Sequence, residues 1–282
     1  MVKAITILFA IVGMVAFLHS LRWAQYRRAH VYAVAASNYL AAAVIFVWWS
    51  YFAHAPAHFD VLLRGCAIGL LYGTTFFLLM YGLDTIGVGK ASTIVNLAQA
   101  IPVLASIAIW GERPSLLLII GICGTAIAIP LIFLPGTANE SRRIRGSVVI
   151  AMTLLYVAQG LAYTVMKSFE RLGRPAEKPV LLAALFVTAA IMTTVLLALL
   201  RAKADGNDLF HGIVTGVCNA VSNIAFVASL AVAAGTVVFP TVTAGTIIAV
   251  VLTSTIFWRE RYRPVTWLGL LLAVISVILI NL

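Results

Sequence analysis

Apolar residues run through this chain in ten stretches of about twenty, each closed by a short group of charged, proline or glycine residues. The stretches fall near 4–21, 31–53, 61–82, 88–110, 115–134, 146–168, 179–200, 209–232, 236–258 and 264–281. They are continuous, whereas the strands of a membrane barrel alternate apolar and polar positions over about ten residues. A backbone surrounded by lipid must satisfy its own hydrogen bonds, so continuous apolar runs of this length predict helices. The pattern therefore predicts an all-α integral membrane protein with ten transmembrane helices. The first run follows Met1, Val2 and Lys3, shows no small-x-small cleavage site, and is followed by Arg22, Arg27 and Arg28. It reads as a retained helix rather than a removed leader.

Composition agrees with this reading. Of 282 residues, 63% are apolar and 10% charged, and the mean hydropathy is +1.07. A soluble domain carries about 25% charged residues. The net charge of +10 comes from Lys and Arg scattered in short connectors, where they act as topology signals. No nucleic-acid partner is expected, because no soluble basic face remains to bind one. The odd-numbered connectors hold twelve of the 19 basic residues, which by charge alone puts both termini outside. Cys66, Cys123 and Cys218 lie within apolar runs. Their odd number and wide spacing suit packing better than a disulfide framework.

An internal repeat organises the chain. Trp110-Gly111-Glu112-Arg113 ends the fourth run and Trp258-Arg259-Glu260-Arg261 ends the ninth, 148 residues later. Gly121 and Gly269 are related by the same offset. Five helices, an odd number, separate equivalent points, so the halves must be inverted relative to one another. Such inverted repeats are common in secondary transporters, with the substrate site between the halves. The polar stretch from Pro135 to Arg145 is the expected seam. It divides the chain into five-helix repeats at 1–138 and 139–282.

No acidic or basic residue falls at the centre of a run; Asp84, Lys90, Glu112, Lys167 and Glu260 all sit at ends. This argues against a mechanism built on one central titrating carboxylate. Glu112 and Glu260 read as helix-end anchors paired with Arg113 and Arg261. His19 has no evident partner. Neither a nucleophile elbow, a zinc motif nor a P-loop is present. His54, His58 and Asp60 cluster in the second connector but lack a fourth ligand at suitable spacing. No metal, cofactor or enzymatic activity is expected.

The uncharged polar residues within the runs are more informative, since an amide facing lipid would lose its hydrogen bonds. Asn96 and Gln99 are spaced to share a helix face, as are Asn219 and Asn223. Tyr156, Gln159 and Tyr163 form a stripe in the sixth run, with Asn38 in the second and Tyr72 in the third. These nine residues are the expected substrate-binding set, with interhelical hydrogen bonding the alternative for each. Gly65, Gly69 and Gly73 permit close helix packing. Pro102 and Pro240 are positioned to bend the fourth and ninth helices.

The stretch from Pro102 to Pro114, followed by Gly121 and Gly124, resembles the fourth-to-fifth helix signature of EamA-like members of the drug/metabolite transporter superfamily. Trp258 to Arg261 followed by Gly269 resembles a second copy, in which Val250 and Arg259 replace the repeated proline and glycine. The resemblance implies five-plus-five inverted repeats and a central cavity bounded mainly by helices three, four, eight and nine. It also implies export or exchange of small metabolites and cytoplasmic termini, the opposite of the charge count. The expected protein is a secondary transporter of a small organic metabolite in the lipid bilayer of a bacterial inner membrane, working by alternating access. Monomeric and homodimeric states both suit the sequence. A membrane-embedded lipid-handling protein or enzyme is the alternative, with the His54–Asp60 region as its only polar cluster.

Overall fold

The computed structural model describes residues 2–111, 113–134, 146–201, 203–232 and 235–280. Glu112 and the Pro135–Arg145 seam lie outside the described residues. Of the described residues 87% are helical, and none lies in a strand. The helices are α1 (Val2–Tyr26), α2 (Val31–Phe52), α3 (Phe59–Thr85), α4 (Val88–Leu97), α5 (Ala100–Trp110) and α6 (Leu116–Phe133). They continue with α7 (Gly146–Glu170), α8 (Lys178–Leu199), α9 (Gly206–Val232), α10 (Gly235–Phe257) and α11 (Pro264–Ile280).

Among the described residues, seven helical segments are long and apolar enough to cross a membrane: α1, α2, α3, α4 with α5, α7, α8 and α9. Helices α6, α10 and α11 contain shorter apolar stretches of 17 residues each, Leu116–Ile132, Thr241–Phe257 and Pro264–Ile280. Large apolar side chains such as Leu8, Phe9, Trp48, Ile191 and Ile256 stand exposed around the bundle. Water would penalise that surface and lipid does not, so the chain is an integral membrane protein.

Two helix boundaries differ from the sequence expectation for a physical reason. Helix α1 continues to Tyr26 because its polar last turns find partners on α3: Arg22 Nη1 donates to the Leu83 carbonyl (2.8 Å) and Gln25 Nε2 to that of Met80 (2.5 Å). The fourth run is not one helix. It breaks at Ala98 and Gln99, where Pro102 lacks the N–H that the Ala98 carbonyl would accept, and Ile101 N–H takes that carbonyl instead (3.1 Å). Pro240, by contrast, lies in the second turn of a helix that continues to Phe257.

Helix α1 packs on α9, α2 on α8 and α9, α3 on α7 and α8, and α6 on α11. Helix α10 packs on α1, α4 and α11, while α5 rests on α7. Gly65 and Gly69 make the α3–α8 contact possible: a Cβ on Gly69 would strike the Leu185 carbonyl, and one on Gly65 would meet Ala184 at 2.6 Å. The main core lies among α2, α3, α7 and α8, with Phe46 stacked on Phe186 at 4.8 Å.

Candidate functional site

A cavity of about 110 Å³ lies among α1, α2, α3, α4, α7 and α9. Its apolar lining comes from Met14, Phe17 and Leu18 of α1, Phe76 and Leu79 of α3 and Leu155 of α7. The rest is uncharged but polar. Helix α4 contributes Ser92 and Asn96, α7 contributes Gln159 and Tyr163, and α9 contributes Asn219 and Asn223. Tyr39, Tyr72 and Thr75 complete the wall. None of the described residues that line the cavity carries a formal charge.

These groups hold one another. Gln159 lines the cavity together with Tyr72 and Tyr163, and Tyr39 donates to the Tyr72 carbonyl (2.7 Å). Asn223 Nδ2 donates to Asn219 Oδ1 (3.1 Å), and Asn219 Nδ2 donates to Asn38 Oδ1 (3.4 Å). The result is a short amide ladder leading outward from the cavity through α9 into α2. Asn96 Nδ2 returns to the Ser92 carbonyl (2.8 Å), which leaves its Oδ1 as an acceptor toward the cavity wall.

Six of the nine expected residues therefore meet here: Tyr72, Asn96, Gln159, Tyr163, Asn219 and Asn223. The other three lie elsewhere. Asn38 is fully buried behind Asn219, between α2 and α9, and its Nδ2 has no hydrogen-bond partner. Gln99, at the helix break, does not line the cavity; its Nε2 donates to Thr243 Oγ1 on α10 (2.7 Å). Tyr156 packs against the apolar cores rather than the cavity. Sequence reasoning overlooked Tyr39 and Ser92. Tyr39 adjoins Asn38, but neighbours on a helix point about 100° apart, and Asn38 drew attention by its amide.

Outside the cavity the structure reassigns several polar groups. His19 does have partners: its Nδ1 accepts from Trp258 Nε1 (2.7 Å) and its Nε2 lies 2.7 Å from Thr253 Oγ1. The Glu260 carboxylate accepts from the backbone N–H of Val88 (2.5 Å) and Gly89 (3.2 Å) and from the Tyr262 hydroxyl, not from Arg261, among the described residues. Lys90 is buried and donates to the Leu134 carbonyl (3.0 Å) at the end of α6. In the second connector Asp60 pairs with Arg64 (3.1 Å) and Arg174 (3.4 Å), and His58 with Glu177 (3.0 Å). Those pairs join the start of α3 to the link between α7 and α8. The three cysteines are free.

The described residues thus form a helical membrane bundle around a neutral polar cavity. The comparisons with known proteins agree in class. Residues 4–134 match the model of the EamA-like transporter family, so the resemblance drawn from the sequence is borne out over that stretch, in keeping with the drug/metabolite transporter superfamily. An uncharacterized protein of Haemophilus influenzae is 24% identical over 213 residues, which span 75% of this chain and 72% of that protein. A crystal structure of a protein only 13% identical shares the fold, with a TM-score of 0.60 over 99% of this chain and 95% of that one.

Proposed function

We propose that the chain is a secondary transporter that moves a small organic metabolite by alternating access, as an exporter, exchanger or facilitator. The family match supports transport rather than enzymatic chemistry. The observation that carries the reading is the cavity: helices from both ends of the chain meet around it and present amides, hydroxyls and aromatic rings without a fixed charge. That lining suits an amino acid, nucleoside or aromatic metabolite held by hydrogen bonds and ring contacts. The volume of about 110 Å³ is below the roughly 300–1,000 Å³ of drug-sized ligand pockets. The bundle is therefore contracted around the site and must expand to admit such a solute.

The helix pairings support two inverted repeats at 1–138 and 139–282. Shifting every span by five turns the α1–α9 pairing into α7–α3 and the α2–α9 pairing into α8–α3. The same shift carries the α1–α10 pairing onto that of α7 with α4 and α5, and returns α2–α8 and α6–α11 to themselves. Two halves with one internal plan are what rocking around a fixed central site requires. A helical bundle, unlike an outer-membrane barrel, belongs in a bacterial inner membrane, and the curated relative is bacterial. Within the His54–Asp60 cluster, His58 and Asp60 form ion pairs at the α3–α7 end, which weighs against the lipid-handling alternative.

The test is counterflow in proteoliposomes with labelled amino acids, nucleosides and drug-like amines. Accumulation of one class, abolished by excess unlabelled solute, is the expected result. No accumulation across the panel by folded protein would refute carriage of these solutes.

A further inference from the structure

Outside the cavity, the Glu260 carboxylate accepts three hydrogen bonds. It seats on the N-terminus of α4, a ten-residue helix, and accepts from the first free backbone N–H groups, of Val88 and Gly89. A helix N-terminus concentrates unpaired donors and partial positive charge, so a carboxylate there is held by hydrogen bonds and by the dipole together. Tyr262 donates a further bond to Glu260, and its hydroxyl lies 2.8 Å from Ser254 Oγ. The backbone is built to receive these groups: Gly87 holds φ +90°, and a Cβ on Gly89 would collide with the Tyr262 hydroxyl. Beside this contact, Trp258 and Thr253 of the same segment engage His19 of α1.

The position matters as much as the bonding. Gly89 lies one helical turn from Ser92, and His19 is adjacent to Leu18; Ser92 and Leu18 both line the cavity. The end of α10 thus joins α4 and α1 immediately beyond the cavity, at one end of the bundle. We infer that Glu260 is a gating residue: its seat on the α4 N-terminus locks that end of the cavity shut, and transport requires its release. The inference rests on the alternating-access reading.

Accessibility tests it without any substrate. Cys66, Cys123 and Cys218 are replaced, Ser92→Cys serves as reporter, and a membrane-impermeant maleimide is applied to vesicles of both orientations. In Glu260→Gln one carboxylate oxygen becomes an NH₂ facing donors, so labelling from the Glu260 end should rise about tenfold, the equivalent of one lost charge-assisted bond. Labelling from the other end should not rise. Tyr262→Phe should give a smaller one-sided increase, and serves alone if Glu260→Gln does not accumulate. Arg261→Gln, beside the lock, should leave labelling unchanged. Unchanged labelling in the Glu260 and Tyr262 variants, an equal rise from both ends, or an equal rise in Arg261→Gln would overturn the gate. A one-sided rise in a protein that fails counterflow would retain the gate and reject the transport reading.

Discussion

At the scale of single residues, the cavity draws its polarity from a few amides whose hydrogen-bonding capacity is only partly used within the protein. Asn223 spends its Nδ2 on the Asn219 carbonyl (2.9 Å) and on Asn219 Oδ1 (3.1 Å), and its side chain still lines the cavity. Asn96 is anchored by one bond to Ser92 and also lines the cavity. Leucine is close in size to asparagine but can accept nothing. Asn96→Leu and Asn223→Leu should therefore each lower transport by about tenfold, the cost of roughly one solute hydrogen bond, while the protein remains monodisperse in detergent. Normal transport in both variants would remove these residues from the binding site. The i, i+4 amide pair of α9 and the Gln159–Tyr163 pair of α7 were legible in the sequence, because an uninterrupted helix fixes which residues share a face. Asn38 was legible as a polar residue in need of a partner, but that partner is Asn219, more than half the chain away. The seat of Glu260 on Val88 was hidden for the same reason: no local pattern encodes a contact across 172 positions.

At the scale of elements, hydropathy placed every helix near its observed position, because a run that lipid surrounds must be both apolar and helical. It missed what happens at ends and breaks. The polar tail of α1 stays helical because Arg22 and Gln25 reach carbonyls at the end of α3, which a local pattern cannot reveal. Pro102 announced a disturbance in the fourth run, yet its cost falls four residues upstream, on the Ala98 carbonyl. Gln99, at that break, donates to Thr243 of α10 instead of lining the cavity. Glycine spacing was read more successfully. Gly65, Gly69 and Gly73 do set the approach of α3 to α8, with Leu181, Ala184, Leu185, Thr188 and Met192 against them. At Gly69 the obstacle is the rigid Leu185 carbonyl rather than a movable side chain. Gly69→Val should therefore push the helices apart and cost about 1–3 kcal/mol. A lower midpoint of thermal unfolding in detergent, followed by size-exclusion chromatography, is the measurement. A midpoint equal to that of the parent would show that the α3–α8 contact is looser than described.

At the scale of the whole molecule, the extensive helix contacts join the first half to the second. Helix α1 lies on α9, α2 on α8 and α9, α3 on α7 and α8, and α6 on α11, whereas α1 and α2 touch α3 much less. The cavity follows the same rule, since α1 to α4 supply part of its wall and α7 and α9 the remainder. Neither half therefore encloses the cavity by itself. Separated from residues 139–282, the first half would expose Asn38, whose Oδ1 accepts from Asn219. In lipid, apolar surface alone does not drive helices together, so association depends on close packing and interhelical hydrogen bonds. The packing surfaces with glycines, such as α3 against α8, also cross between halves. Residues 1–138 expressed alone should consequently give an aggregated or polydisperse product, as should residues 139–282. Expressed together, the two pieces should co-purify as a single monodisperse species that regains counterflow activity, because the covalent link at the seam adds proximity but none of the contacts described. Fluorescence-detected size-exclusion chromatography of each piece and of the pair separates the outcomes. A monodisperse monomer from either piece alone would mean that each half folds on its contacts within itself, and the interlocked arrangement would then have to form by docking of finished halves.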